Sequence, residues 1–186
     1  MTHADLQADA IAVLTAWKPQ DPSQQALAHG YLAFLAARDD ATMRACVPGH
    51  LTASAVVLSA DLQSTLLTLH PRVGRWLQLG GHCEDGDVTL AGAALREAVE
   101  ESGIADLRPV ADPIQLDVHP ITCSLGVPTR HLDVRFAVVA APGARAVISD
   151  ESDDLRWWPV DALPEQTDPL LAASVRLAVT AAAAGR

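Results

Sequence analysis

Apolar positions recur at helical spacing through the first 48 residues and at strand-like spacing after them. Across residues 3–17, Leu6, Ala10, Val13, Leu14 and Trp17 share one face of an α-helix. Lys18-Pro19 ends it. Asp21-Pro22-Ser23-Gln24 reads as a second helix start, with Asp as N-cap, Pro in the first turn and Gln at the capping-box position. That helix runs to about Ala37 and turns Leu27, Tyr31, Phe34 and Leu35 inward. A short third helix is predicted after Asp40, broken by Pro48-Gly49. From Leu51 the chain changes to short β-rich runs. Residues 52–59 and 65–70 predict a hairpin around Asp61-Leu62-Gln63, and residues 75–79 a strand leading into Gly80-Gly81. Further strands are predicted at 107–110, 114–118, 131–139 and 155–160, with a proline-bounded loop over 120–128. An alanine-rich helix over 169–184 closes the chain, apolar at Leu170, Leu171, Ala173, Val175 and Leu177. Strands interleaved with a central helix and flanked by helices predict an α/β architecture, a mixed sheet between helical layers.

The central helix carries the candidate chemistry. Glu97, Glu100 and Glu101 stand at i, i+3 and i+4, so they are neighbours on its surface. Like charges that close repel by about 3 kcal/mol per pair at an effective dielectric near 20. A hard divalent cation relieves that repulsion, because Mg²⁺ and Mn²⁺ take several oxygen ligands. Ala91, Leu95, Ala98, Val99 and Ser102 form a small, mostly apolar stripe on another face, suited to packing on a sheet. Gly103 stands where a helix C-terminal glycine belongs. The glutamates are therefore expected to point from a firmly seated helix into a cleft. A solvated acidic face is the competing reading of the triplet alone.

Residues 77–104 also resemble the signature box of the Nudix hydrolase superfamily. Its pattern runs Gly, five residues, Glu, seven residues, Arg-Glu, an aliphatic, any residue, Glu-Glu, any residue, Gly and an aliphatic. Gly81 matches the first glycine, and Arg96-Glu97-Ala98-Val99-Glu100-Glu101-Ser102-Gly103-Ile104 matches the whole second half. Two departures stand out. Asp87 replaces the pattern's first glutamate, and the spacing from Gly81 to Arg96 is one residue longer, an insertion assigned to Val88-Thr89-Leu90. Glu84 is a second candidate for the missing glutamate's role. The resemblance extends over roughly residues 50–165, from the strands before the box to Trp157-Trp158 and the turn that follows.

The resemblance implies a Nudix-type α/β/α sandwich over residues 49–186, with residues 1–48 an N-terminal helical extension that either packs on the sheet or forms a homodimer surface. It implies a metal-dependent hydrolase that cleaves the pyrophosphate linkage of a nucleoside diphosphate joined to a second moiety, or of a related small phosphorylated compound. A non-catalytic nucleotide sensor on the same fold is the alternative. The metal, Mg²⁺ or Mn²⁺, falls to Glu97 and Glu101 first, Glu100 third, with the Gly81 carbonyl as a further ligand. Arg96 is expected to brace the loop through Asp87 or Glu84. The general base is either Glu100 or a later carboxylate, for which Glu151 is the candidate. Arg72 and Arg75 can meet phosphate from the strand before the box, and His82, beside the turn, can meet substrate. His119 and His131 can approach each other on adjacent strands, but no ligand-spaced third residue marks a zinc site. The tryptophans read as core, although one of Trp157 and Trp158 should face outward if both lie in a strand.

Composition narrows the partners. At 186 residues with a formal charge of −10, the surface repels duplex nucleic acid. A small phosphorylated substrate stays compatible, because bound cations invert the local charge. Lysine occurs only at Lys18, so basic contacts fall to arginine, which suits bidentate recognition of phosphate. No apolar run reaches the ~20 residues a membrane helix needs. Cys46, Cys83 and Cys123 are widely spaced and odd in number, and the first residues carry no basic leader, so a cytoplasmic protein with reduced thiols is expected.

Overall fold

Residues 6, 10 and 14 line up once per turn, and Leu6, Ala10 and Leu14 are what helix α1 (His3–Ala16) buries. Helix α2 (Pro22–Ala37) starts at Asp21, whose side chain accepts from the Ser23 N–H. The expected capping box does not close. Gln24 instead pairs with the backbone of Leu116, its amide donating to the carbonyl at 3.1 Å and accepting from the N–H at 2.6 Å. The third helix is absent: residues 39–48 form turns, with Asp40 held by Arg38 through two bonds of 2.8 and 2.7 Å. The computed structural model describes residues 3–110, 112–122, 126–149 and 152–185.

The sheet is organised around β1 (His50–Leu58), which is buried along its whole length. It runs parallel to β7 (Pro128–Ala140) from the pair His50–His131 to Leu58–Val139. Its other edge is shared. Thr52 to Ala55 pair antiparallel with β4 (Leu79–His82), whereas Val57 and Leu58 pair with β2 (Ser64–His70). β2 then leaves β1 and takes β3 (Arg75–Leu77) and β8 (Asp154–Pro159) as partners. The single strand expected over 75–79 is therefore two short ones, broken at Gln78 where the chain crosses from β2 to β1. The free edge of β7 is divided between β6 (Gln115–Thr122) and β5 (Leu107–Pro109). Among the described residues β6 pairs only with β7. As an edge strand it tolerates Pro120, so the strand runs through the start of the expected 120–128 loop.

Helices cover both faces. Helix α3 (Leu90–Ser102), α1 and α2 pack on one face against Leu51, Ala53, Ala55, Val134 and Phe136. Helix α4 (Leu171–Ala184) packs on the other against Val56, Leu58 and Ala137. The architecture is the mixed-sheet α/β/α arrangement the sequence implied. Of the apolar positions in this segment, Leu171 and Val175 are buried with Ser174, Ala178 and Ala182, while the N-cap Leu170 and Leu177 are exposed. Neither Trp157 nor Trp158 faces open solvent; they alternate across β8, and each packs on a different core.

The N-terminal helices share one core with the sheet, since Leu6, Ala10, Tyr31 and Leu35 pack with Leu51, Leu116 and Phe136. The Tyr31 hydroxyl donates to the Asp117 carbonyl at 2.7 Å. More directly, Asp9 of α1 accepts from the Leu90 N–H at 2.8 Å and so satisfies a first-turn donor of α3. A carboxylate there also complements the helix dipole. Asp9→Ala should lower the unfolding free energy by about 1 kcal/mol, the usual value of such a cap, with the slope of a urea titration unchanged.

Candidate active site

Helix α3 is seated by its ends. Thr89 caps its start by accepting from the Gly92 N–H, and Gly103 closes it in a left-handed conformation with its N–H on the Val99 carbonyl. The segment assigned the additional residue, Val88-Thr89-Leu90, spans the end of the loop, the cap and the first helical residue. Val88 is exposed in the loop just before the cap, so the helical register of Arg96, Glu97, Glu100 and Glu101 is untouched.

The three glutamates do not share one environment. Glu97 and Glu101 are each only 8% exposed and lie on the buried face of the helix with Ala93, Ala94 and Ala98. That placement departs from the expected apolar stripe. β4 makes it possible by presenting glycines. A Cβ on Gly81 would lie 2.8 Å from both carboxylate oxygens of Glu97. The Gly80 N–H donates to Oε2 of Glu101 at 3.0 Å. Gly80 has φ of +149°, and a Cβ there would stand 2.4 Å from Cβ of Ser54, so the residue must be glycine on both counts. Glu100 is different: its side chain is 58% exposed, at the rim.

Arg96 ties these pieces together. Its guanidinium donates to Asp87 through Nε at 3.1 Å and Nη2 at 3.0 Å, to Glu97 through Nη1 at 3.0 Å, and to Glu100 through Nη1 at 2.9 Å. Nη2 also donates to the His82 carbonyl at 2.9 Å. Burial disfavours the charge on Arg96, yet the bonds to Asp87 and the charges of Glu97 and Asp87 outweigh it and raise its pKa above the ordinary value. Asp87 reaches the guanidinium despite its shorter side chain and also accepts from the Glu84 N–H at 2.8 Å. The Glu84 residue itself is exposed. Arg72 and Arg75 are exposed, in the β2–β3 turn and at the start of β3, nine and six residues before Gly81 in the chain. Glu151 lies outside the described residues. Cys83, in the loop, is buried, and burial pushes its thiol up to about 12.

The opposite face of the same strands holds polar side chains that a motif search does not reveal. Asp133 accepts from Thr52 at 3.1 Å, Ser54 at 2.7 Å and Arg135 at 3.0 Å. Arg135 also donates to Asp117 at 2.9 Å. Next to this network four imidazoles from β4, β1, β7 and β6 form a cluster. Ring centroids are 5.2 Å apart for His82–His50, 5.1 Å for His50–His131 and 4.9 Å for His82–His131, and His119 adjoins His131 at 5.3 Å. The readable signal was alternation: His50, Thr52 and Ser54 on β1, His131, Asp133 and Arg135 on β7, and Asp117 and His119 on β6 all recur with period two.

The family model described as the NUDIX domain matches residues 48–177. The chain belongs to the Nudix family. Solved structures show the same fold at low identity. They include a C. elegans Ap4A hydrolase (TM-score 0.55, 19% identity, 73% of this chain and 98% of that one). An E. coli dihydroneopterin triphosphate pyrophosphohydrolase matches with TM-score 0.56 and 20% identity over 70% of this chain and 94% of that one. A UDP-X diphosphatase matches over 100% of this chain and 98% of that one, with TM-score 0.51 and 16% identity. No curated protein sequence matches the chain. Among the described residues no helix is long and apolar enough to cross a membrane.

The histidine cluster gives this Nudix chain a pH signature. Burial, reinforced by the neighbouring rings and Arg44, lowers His131 to about 3. The bond to Asp117 raises His119 instead. An unfolded histidine titrates near 6.5. Between these values the unfolded chain holds the proton that the folded ring refuses, so His131 contributes its full stability above pH ~6.5 and loses it as the pH falls toward 3. Urea titrations of the metal-free protein should show stability falling between pH 7 and pH 4.5, and a shallower fall in His131→Gln.

Proposed function

We propose that this Nudix hydrolase uses a divalent cation to cleave the pyrophosphate linkage of a nucleoside diphosphate joined to a second moiety, or of a related small phosphorylated compound. The supporting observation is the pair of buried carboxylates, Glu97 and Glu101, pressed on a glycine strand that leaves no room for a side chain at Gly81. Two buried acids on one helix face need positive charge, and their oxygen donors suit Mg²⁺ or Mn²⁺. Glu97, Glu101 and the Gly81 carbonyl would hold the ion, with Glu100 completing the set. Such an ion neutralises diphosphate charge and makes a water more acidic when bound.

The chain's own groups have separable tasks. Arg96 positions Glu97 and Glu100 and pins the loop through Asp87; it is not assigned a contact with substrate. Glu100, the most exposed of the three glutamates, has Oε2 on Arg96, which orients Oε1 as the atom to accept a proton from an attacking water. Glu151 is the other candidate for that proton. Hydrolysis then rests on positioning and charge more than on covalent chemistry.

The structural relatives are named for Ap4A, dihydroneopterin triphosphate and UDP-X. A panel spanning dinucleoside polyphosphates, nucleoside and pterin triphosphates and nucleotide sugars therefore covers the proposed substrate class. With Mg²⁺ or Mn²⁺, at least one compound should be split at an anhydride bond. Turnover should fall by on the order of 100-fold or more in Glu97→Gln and in Glu101→Gln, the scale of losing one electrostatic group at a reacting centre. Binding without turnover anywhere in the panel would overturn the proposal. Gly81→Ala, which sets a methyl against the Glu97 carboxylate, should keep the circular dichroism of the wild type while the Mg²⁺ concentration for half-maximal rate rises several-fold.

A further inference from the structure

We propose that His50, His82 and His131 form a second metal site, selective for a borderline-soft dication such as Zn²⁺ and separate from the carboxylate site of α3. One ring nitrogen from each lies within 4.8 Å of the other two. The three come from strands that pair side by side, His131 in register with His50 on β7 and β1, and His82 at the end of β4 on the other edge of β1. Tetrahedral coordination at a Zn–N distance near 2.0–2.1 Å places donor nitrogens about 3.4 Å apart. Small side-chain rotations cover the difference, because the rings already face one another at centroid separations of 4.9 to 5.2 Å.

Orphaned donor atoms point the same way. His50 is 1% exposed, and its Nδ1 lies 3.3 Å from the Cys46 carbonyl. A carbonyl only accepts, so Nδ1 carries the proton and Nε2 carries the lone pair. That Nε2 is buried without a hydrogen-bond partner, and so is Nε2 of His131. An unmet buried acceptor is costly, and a metal ion satisfies it. A histidine whose second nitrogen donates to a backbone carbonyl is also how protein metal sites fix a ligand's tautomer. Three neutral imidazoles leave a tetrahedral zinc one open position for water or a substrate oxygen.

The surroundings are compatible with the added charge. Asp133 lies two residues along β7 on the same face, and Asp117 holds His119 at 3.0 Å beside His131. Arg44 acts against a cation, but it is exposed, where water and salt screen it. His82 directly follows Gly81, so its side chain projects to the face opposite the one on which Gly81 meets Glu97. The two sites are thus back to back across one strand, and their donor chemistry separates them, oxygen on one side and nitrogen on the other.

Chelator-treated full-length protein, held in millimolar Mg²⁺ to occupy oxygen sites, is titrated with Zn²⁺ by calorimetry. One equivalent should bind. Either His82→Gln or His131→Gln should weaken binding by at least about 100-fold, the upper end of what loss of a supporting residue costs. The Glu97→Gln/Glu101→Gln variant should bind Zn²⁺ as the wild type does. Should a histidine variant fail to fold, the wild type still decides: in a long-range ¹H–¹⁵N spectrum, the rings of His50, His82 and His131, out of the 7 histidines, should shift with one equivalent of Zn²⁺. Loss of Zn²⁺ binding in the glutamate variant, shifts confined to other histidines, or no binding overturns the site. Loss in the glutamate variant would place the ion on the carboxylates instead, and every one of these outcomes leaves the proposed Mg²⁺-dependent hydrolysis standing.

Discussion

One guanidinium holds the glutamate-bearing helix α3, the glycine strand and the loop between them in a single arrangement. Two buried carboxylates on one helix face are expensive in a low-dielectric interior. Arg96 offsets part of that cost at Glu97, reaches Glu100 one turn on, grips Asp87 bidentately across the loop, and takes the His82 carbonyl as well. A lysine could deliver the charge but not this fan, because only a planar fork presents donors in several fixed directions at once. The loop can therefore carry an extra residue at its exposed side without loosening the acids. What matters is that Asp87 and the helix both end on the same group.

The second constraint is the absence of side chains at Gly80 and Gly81. A helix normally stands off a sheet by the thickness of its side chains. Here α3 approaches β4 closely enough for Glu97 to touch the Gly81 backbone and for Glu101 to accept from Gly80. The apolar positions of the helix were expected to take the buried face alone. Instead the acids share it with Ala93, Ala94 and Ala98, whose small size permits the approach. Residue alternation on the same short strand turns the next side chain, His82, to the opposite face. A single β-strand thus separates an acidic site from an imidazole cluster.

The N-terminal helices are part of this construction. Asp9 completes the first turn of α3, and Gln24 and Tyr31 fasten α2 to β6 and β7 by hydrogen bonds spanning 86 to 102 residues of sequence. Read in isolation, Asp21-Pro22-Ser23-Gln24 promised a self-contained cap. Tertiary contact with the outer edge of β6 redirected Gln24, since buried Leu116 offers it both a donor and an acceptor.

Local physics alone determined much of this protein. Helical spacing located α1, α2, α3 and α4, period-two runs located most strands, and the i, i+3, i+4 spacing of Glu97, Glu100 and Glu101 put three carboxylates together on α3, because those relations lie within one helix; the likeness of Gly81, Arg96 and Gly103 to the Nudix box is what marked them as a candidate site. Only the tertiary structure separated buried Glu97 and Glu101 from exposed Glu100, and set Asp87 rather than Glu84 on Arg96, because loop closure and helix approach are not properties of spacing. The same holds for the histidines. His119 and His131 were visible as a cross-strand pair, but the partners that complete a three-ring cluster, His50 and His82, are 81 and 49 positions from His131 in the chain. The parallel pairing of β1 with β7 and the antiparallel pairing of β1 with β4 bring them together, and no local pattern encodes which strands become neighbours.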